Sequence, residues 1–254
     1  MAAPDSAPDA AAVAAELEDE MRVLATPERA EAERAYLKSE LRFLGASVPS
    51  IRQVAKRVDH RYPAGEHDAL VALVIELWAV PVHERRMLAV ELLTMHVDCL
   101  GPTDLALLER LLRESQTWAL VDSLAAQVVG PIVEANPATT ATLDRWVADD
   151  DFWLRRSAML ALLLPLRRGA GDPDRFFAYA DGLLEETEFF IRKAIGWILR
   201  DMGRRRPELV LEWASPRVER MSGVTLQEVV KCLQPDEAAA LKEAYQQAKA
   251  QRRR

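Results

Sequence analysis

DFWLRRSAML (Asp151–Leu160) and EFFIRKAIGWILR (Glu188–Arg200) decide the fold of this chain. Both repeat apolar residues at helical spacing. In the second, Phe190, Ala194 and Trp197 fall at i, i+4 and i+7, while Phe189, Lys193, Gly196 and Arg200 line the adjacent face. Each stretch also breaks its apolar stripe with a tryptophan and a charge, and TWALVDSLA (Thr117–Ala125) does the same. A buried unpaired charge costs roughly several kcal/mol. Asp122, Arg156 and Arg200 are therefore expected to be partnered, or to share a polar cleft.

The same periodicity runs outward in both directions. Amphipathic segments cover 8–24, 27–39, 48–61, 66–80, 82–97, 103–114 and 118–135. They continue over 138–148, 152–164, 174–186, 189–205, 208–214, 225–233 and 236–249. Thr26-Pro27 is a helix start, Thr as the cap and Pro as the first helical residue. Ile51, Val54, Ala55 and Val58 form one apolar face, with Arg52, Lys56 and Arg57 elsewhere. Connections carry Pro or Gly, which stop helices. No strand or hairpin signal is present. The expectation is an all-α, HEAT-like repeat solenoid of stacked antiparallel helix pairs, whose concave face can gather residues from several repeats. No strict period is legible, so an irregular helical bundle is the alternative. The predicted organisation is a disordered start over 1–8, a single helical-repeat domain over 9–249 and a basic tail over 250–254.

Composition narrows the classes. The chain has 254 residues, half of them apolar, which suffices for one sizeable core. Cys99 and Cys232 lack zinc-ligand spacing, and two distant cysteines fit a reducing cytoplasm. The first residues are acidic and do not read as a signal peptide. The longest apolar run, Ala158 to Leu166, is far short of the ~20 residues of a membrane span. The net charge of −7 argues against nucleic acid on average, but binding follows the local field.

That field is uneven. Between Phe189 and Pro207 lie Arg192, Lys193, Arg200, Arg204, Arg205 and Arg206 against one acid, Asp201. Basic residues interleaved with aromatics suit a phosphate-lined ligand; a solvated face is the plainer alternative. Trp118 and Asp122 sit one helical turn apart, and a nearly apolar run follows the acid. Arg155 and Arg156 point about 100° apart, so one can face a cleft and the other solvent. Gly196, mid-helix, implies close approach of another backbone or of a ligand. Phe190 reads as core. No HExxH, GxSxG, P-loop or dinucleotide motif is present, so no metal or cofactor is expected.

At these residues the chain resembles the AlkD-like DNA alkylation repair family, HEAT-like-repeat glycosylases for 3-methyladenine and 7-methylguanine. The resemblance runs from about Tyr36 to about Trp213. It is carried by YLKSELRFLGASVPSIR (Tyr36–Arg52), WALVDS (Trp118–Ser123), WLRR (Trp153–Arg156) and EFFIRKAIGWILR. It implies Asp122 as the catalytic acid, Arg156 as the cleft arginine near the lesion's backbone, and Trp118 and Trp197 as aromatics cradling the sugar. Tyr36 matches a further cleft aromatic. Lys38, Arg155, Phe189, Arg192, Lys193 and Arg200 are weaker candidates for DNA contact.

The implied activity is a monofunctional DNA glycosylase acting on N3- and N7-alkylated purines in duplex DNA. A specialist for bulky natural-product adducts is a variant of it, and the sequence does not choose between methyl and bulky lesions. The base would stay stacked, and the expected form is a cytoplasmic monomer, on the nucleoid when bound. The competing reading is a non-catalytic HEAT-like module that binds DNA or a protein. Release of free base from alkylated DNA separates the two.

Overall fold

The computed structural model describes residues 9–61 and 67–252, so the expected disordered start and the last two residues of the tail lie outside it. Every regular element among the described residues is helical. The chain divides into two compact units, one ending at Leu124 and the other beginning at Ala125.

The first unit holds α1 (Ala10–Val23), α2 (Pro27–Leu37), α3 (Val48–Arg61), α4 (His67–Ala79), α5 (His83–Met95), α6 (Leu105–Glu114) and α7 (Trp118–Ser123). Local chemistry sets the starts. Asp9 Oδ1 accepts from the Ala11 amide at 3.1 Å, and Thr26 Oγ1 accepts from the Arg29 amide at 3.3 Å, with Pro27 first in its helix. The α3 face read from the sequence is the buried one: Ile51, Val54, Ala55 and Val58. α1 packs on α4, and α3 and α4 pack on α5.

The start of α5 is unusual because His83, Glu84, Arg85 and Arg86 are all buried. Hydrogen bonds offset the desolvation of Glu84, Arg85 and Arg86, and His83 lowers its cost by staying neutral. His83 stacks on Phe43 at 4.8 Å, and burial lowers it to about 4, so it is neutral at physiological pH. Glu84 accepts the amides of Leu44 (2.9 Å) and Gly45 (2.6 Å), pinning the loop after α2, where Gly45 has φ +98°. Arg85 donates to the carbonyls of Glu76 and Leu77 and to Glu18. Arg86 donates to the Glu114 carbonyl and lies 5.1 Å over the Trp78 ring.

The second unit holds α8 (Gly130–Ala135), α9 (Thr140–Trp146), α10 (Phe152–Leu160), α11 (Leu163–Arg167), α12 (Pro173–Leu183), α13 (Phe189–Gly203), α14 (Pro207–Ala214), α15 (Gly223–Val229) and α16 (Pro235–Gln251). α13 is its centre and packs against α10, α11, α14 and α15. The period missing from the sequence appears in the contacts. Arg155–Glu186 and Arg175–Asp144 are 31 residues apart, and Arg168–Glu134 and Arg167–Asp201 are 34 apart. Lys193–Glu228 is 35 apart and Arg217–Asp181 is 36. An offset confined to 31–36 residues is how a degenerate helical repeat meets its neighbour.

Two expected helices are interrupted, both by proline. The segment 118–135 passes through a π-helical run, Leu124–Val129, before α8. Pro131 has no amide hydrogen, and its ring would strike the carbonyl four residues back, so the turn widens. By length and composition these 18 residues could cross a membrane, but 56% of them are buried within the protein, as in a core helix. The segment 152–164 breaks after Leu160, and α11 restarts at Leu163, which puts Pro165 in its first turn, where no amide donor is needed.

Gly196 is where α13 meets α15. A Cβ there would lie 2.8 Å from Glu228 Cβ and 3.2 Å from Thr225 Cα. The close approach left open by the sequence is thus another helix. Gly196→Ala gains about 1 kcal/mol of helix propensity but overpacks a buried crossing, at about 1–3 kcal/mol. Urea unfolding should show a net loss of about 1 kcal/mol; a more stable variant would mean that α15 yields freely.

Candidate functional site

In the first unit, α7 starts at Trp118, and Asp122 follows one turn later on the same face. Both side chains are half-buried. The Trp118 indole meets Tyr36 edge to face, with centroids 5.8 Å apart. Tyr36 is 71% exposed, so this contact makes an aromatic surface open to a ligand rather than a core pair. α2, which carries Tyr36, buries none of its residues.

The backbone around the aromatic pair is strained. Lys38, two residues past Tyr36, has φ 50°, and Gln116, two residues before Trp118, has φ 52°. They are the two non-glycine residues in the left-handed region among those described. Such a conformation costs roughly 1–3 kcal/mol, and it gathers where backbone direction matters to function. Here each turns the chain beside one partner of the Tyr36–Trp118 contact. Lys38 itself is exposed. Upstream of Gln116, buried Arg86 holds the Glu114 carbonyl and Ser115 Oγ bonds back to the Leu111 carbonyl at 2.8 Å, fixing the approach to α7.

The second unit supplies the other candidates. Of the arginine pair, Arg156 is the buried one, at 3% exposure. It donates to the Phe190 carbonyl, and its guanidinium lies 5.8 Å from the Phe190 ring. Arg155 is tied to Glu186 and to the carbonyls of Asp149 (2.6 Å) and Asp150 (2.8 Å). Arg192 Nε donates to the Glu186 carbonyl at 2.6 Å. Arg155 and Arg192 therefore lock the turns that enter α10 and α13.

Phe190 is not core, contrary to the sequence reading. It is half-buried and clusters with Trp153 (5.0 Å), Phe152 (6.3 Å) and Phe189 (5.5 Å), the last 53% exposed. The aromatic positions at the starts of α10 and α13 converge, which leaves too much ring surface for the core to cover.

Further along α13, the Trp197 indole N–H donates to Asp201 Oδ2 at 3.1 Å. Asp201 is 2% exposed and also accepts Arg167 (2.6 Å) and Arg200 (3.2 Å). Glu228, 3% exposed on α15, takes Lys193 and Arg200, with Lys231 at 3.0 Å. Burial works to raise the Glu228 carboxyl, but hydrogen bonds from Lys193 and Lys231 and the nearby Arg200 hold it down at about 2. Two buried acids thus organise Arg167, Lys193, Arg200 and Lys231, and the cluster stays net positive. Asp201 stood out as the one acid of its segment; Glu228 was not singled out, because two of its three partners, Lys193 and Arg200, lie 28–35 residues away. Among the described residues, no group of three or more His, Cys, Asp or Glu side chains could hold a metal ion.

A carboxylate beside indole and phenol rings can stabilise a cation. A positive cluster with an adjoining indole can hold a polyanion. Comparison with known proteins bears on both. A family model described as DNA alkylation repair enzyme matches residues 17–233. A predicted DNA alkylation repair enzyme from Enterococcus faecalis is similar in structure, with a TM-score of 0.73 at 22% identity, over 82% of this chain and 95% of that one. AlkD2 from Streptococcus mutans gives 0.58 at 15% identity, over 93% and 97%. These likenesses speak to the all-helical fold. No curated protein sequence matched.

Proposed function

The chain belongs to the DNA alkylation repair enzyme family, and from that premise we propose that it is a monofunctional DNA glycosylase. Its substrates are purines alkylated at N3 or N7 in duplex DNA. The observation that carries this reading is the placement of Asp122 one turn from Trp118, with Trp118 edge-on to exposed Tyr36.

Alkylation at N3 or N7 makes the purine cationic, so it leaves as a neutral base without a strong acid. What the enzyme must stabilise is the positive charge that grows on the sugar. A fixed carboxylate does so by charge, and indole and phenol faces by their quadrupoles. Asp122 also orients the attacking water. In the second unit, Arg156, Trp197, Lys193 and Arg200 are the candidates for holding DNA backbone; with recognition from the phosphate–sugar side, the base stays stacked. Few steric limits then fall on the base, and bulky adducts are admitted. α7 carries no lysine to form a Schiff base, so no strand cleavage accompanies release.

The test is release of 7-methylguanine from methylated duplex DNA, read by mass spectrometry, with the strand intact until the abasic site is cleaved chemically. Arg156→Ala should lower release by about 10²-fold, as for loss of one charge contact, with helicity unchanged. Duplex binding without any base release by the unaltered protein would favour the non-catalytic module.

A further inference from the structure

A second anion site is built into the first unit, around one carboxylate. Buried Glu18 accepts Arg85 Nη1 at 2.8 Å, Arg42 Nη2 at 3.2 Å, and Arg22. The only other acid on these arginines among the described residues is Asp19, 3.9 Å from Arg22 and 81% exposed. Buried Glu84 lies behind Leu44, but its oxygens are taken by the Leu44 and Gly45 amides. Arg85 is fully engaged, with two carbonyls besides Glu18. Arg22 and Arg42 are not. Their side chains are 52% and 58% exposed, and each hydrogen-bonds through a single nitrogen among the described residues.

These two guanidiniums bracket an open cavity of about 340 Å³, completed by Ala25, Pro27 and Leu44. Arg42 is well placed to hold a ligand because its backbone is fixed: its amide donates to Pro81 at 3.0 Å, and its carbonyl accepts from His83 at 2.9 Å. Pro27 opens α2, whose positive end adds to the field, with Glu28 of its first turn, outside the cavity lining, acting against it. Unspent guanidinium donors in a net positive recess match the bidentate geometry of phosphate. The volume lies at the low end of ligand cavities, about 300–1,000 Å³, and the three apolar walls leave space for an attached sugar.

We propose that the Arg22–Arg42 cavity binds the phosphate of a sugar phosphate, supplied by the DNA backbone or by a free nucleotide. The DNA source rests on the DNA-repair reading; the free-nucleotide source does not. Pro27 and Tyr36 are nine residues apart on α2, about 14 Å, or about four nucleotide steps along a duplex axis. On DNA, the cavity would grip a phosphate remote from the lesion.

The test uses the full chain and its Arg22→Gln/Arg42→Gln double variant. The first arm measures binding of undamaged duplex by fluorescence anisotropy across a salt series. The expected result is about tenfold weaker binding with a log–log salt slope shallower by about one to two, and an unchanged excision rate at saturating DNA. The second arm measures thermal protection by inorganic phosphate and by dAMP. Protection of the wild type that the variant loses, with duplex binding unaltered, supports a free-nucleotide site. If neither duplex affinity, salt slope nor protection differs, the proposal is overturned. Should the double variant fold poorly, each single variant leaves two arginines on Glu18 and serves in its place. The affinity, salt-slope and protection readouts need no catalysis, so failure of the glycosylase reading would not imitate failure here.

Discussion

Asp122→Asn should slow release of 7-methylguanine by about 10²- to 10³-fold, the range found when one electrostatic contact to developing charge is lost. Asn keeps the size and hydrogen-bonding shape of the side chain and removes its charge. In the departing purine the positive charge migrates from the base to the sugar, and a neutral amide gains nothing from that migration. Asp122 is half-buried against an apolar run, so its field is screened less than a surface carboxylate's. The variant should bind duplex DNA as well as the wild type or better, since an anion near the backbone has gone. Single-turnover release and anisotropy on the same protein separate the two effects. Equal release rates with equal binding would remove Asp122 from the chemistry, and a matching fall in both would make it a binding residue.

The sequence displayed the helices because every one carries a local signature. Thr26-Pro27 starts α2, and Ile51, Val54, Ala55 and Val58 mark the inner face of α3. It hid the two interruptions, since an apolar run continues through Pro131 and Pro165 and only the missing amide and ring clash betray them. It also hid the repeat. The period resides in which charges pair across about 31–36 residues, as in Arg168–Glu134 and Arg217–Asp181, and not in recurring residue types.

The candidate site was legible to a different depth. Trp118 and Asp122 announced themselves because a charge in an apolar stripe is expensive. The Tyr36–Trp118 contact spans elements far apart in the chain and could not be seen from either alone. Which arginine of the Arg155–Arg156 pair is buried depends on the Phe190 carbonyl and on Glu186, neither of which helical phase can reveal. The left-handed turns at Lys38 and Gln116 were invisible for a simpler reason: neither position holds the glycine or asparagine that normally flags such a conformation.

Glu228→Gln should destabilise the protein by about 3 kcal/mol at neutral pH, the low end for removing one partner of a buried ion pair. The low end applies because the Lys193 and Lys231 side chains are 40% and 54% exposed and can turn to water. Glutamine leaves Lys193, Arg200 and Lys231 facing one another, with Asp201 holding Arg200 alone. The sign of the pH dependence follows from the carboxyl. It titrates at about 2 in the folded chain against an ordinary 4.5, so its contribution is complete above about 4.5 and fades as pH falls through about 2. Denaturant unfolding of both proteins at pH 7, 5 and 3 should therefore show a gap that is constant between the first two and narrower at the third. A gap of the same size at every pH would mean that the loss comes from packing at Gly196 and not from charge. The liberated cations should strengthen duplex binding and steepen its salt dependence. A less stable variant that binds DNA more tightly would show that Glu228 restrains the cluster's charge to hold α13 and α15 together, the exchange of affinity for stability common at binding surfaces.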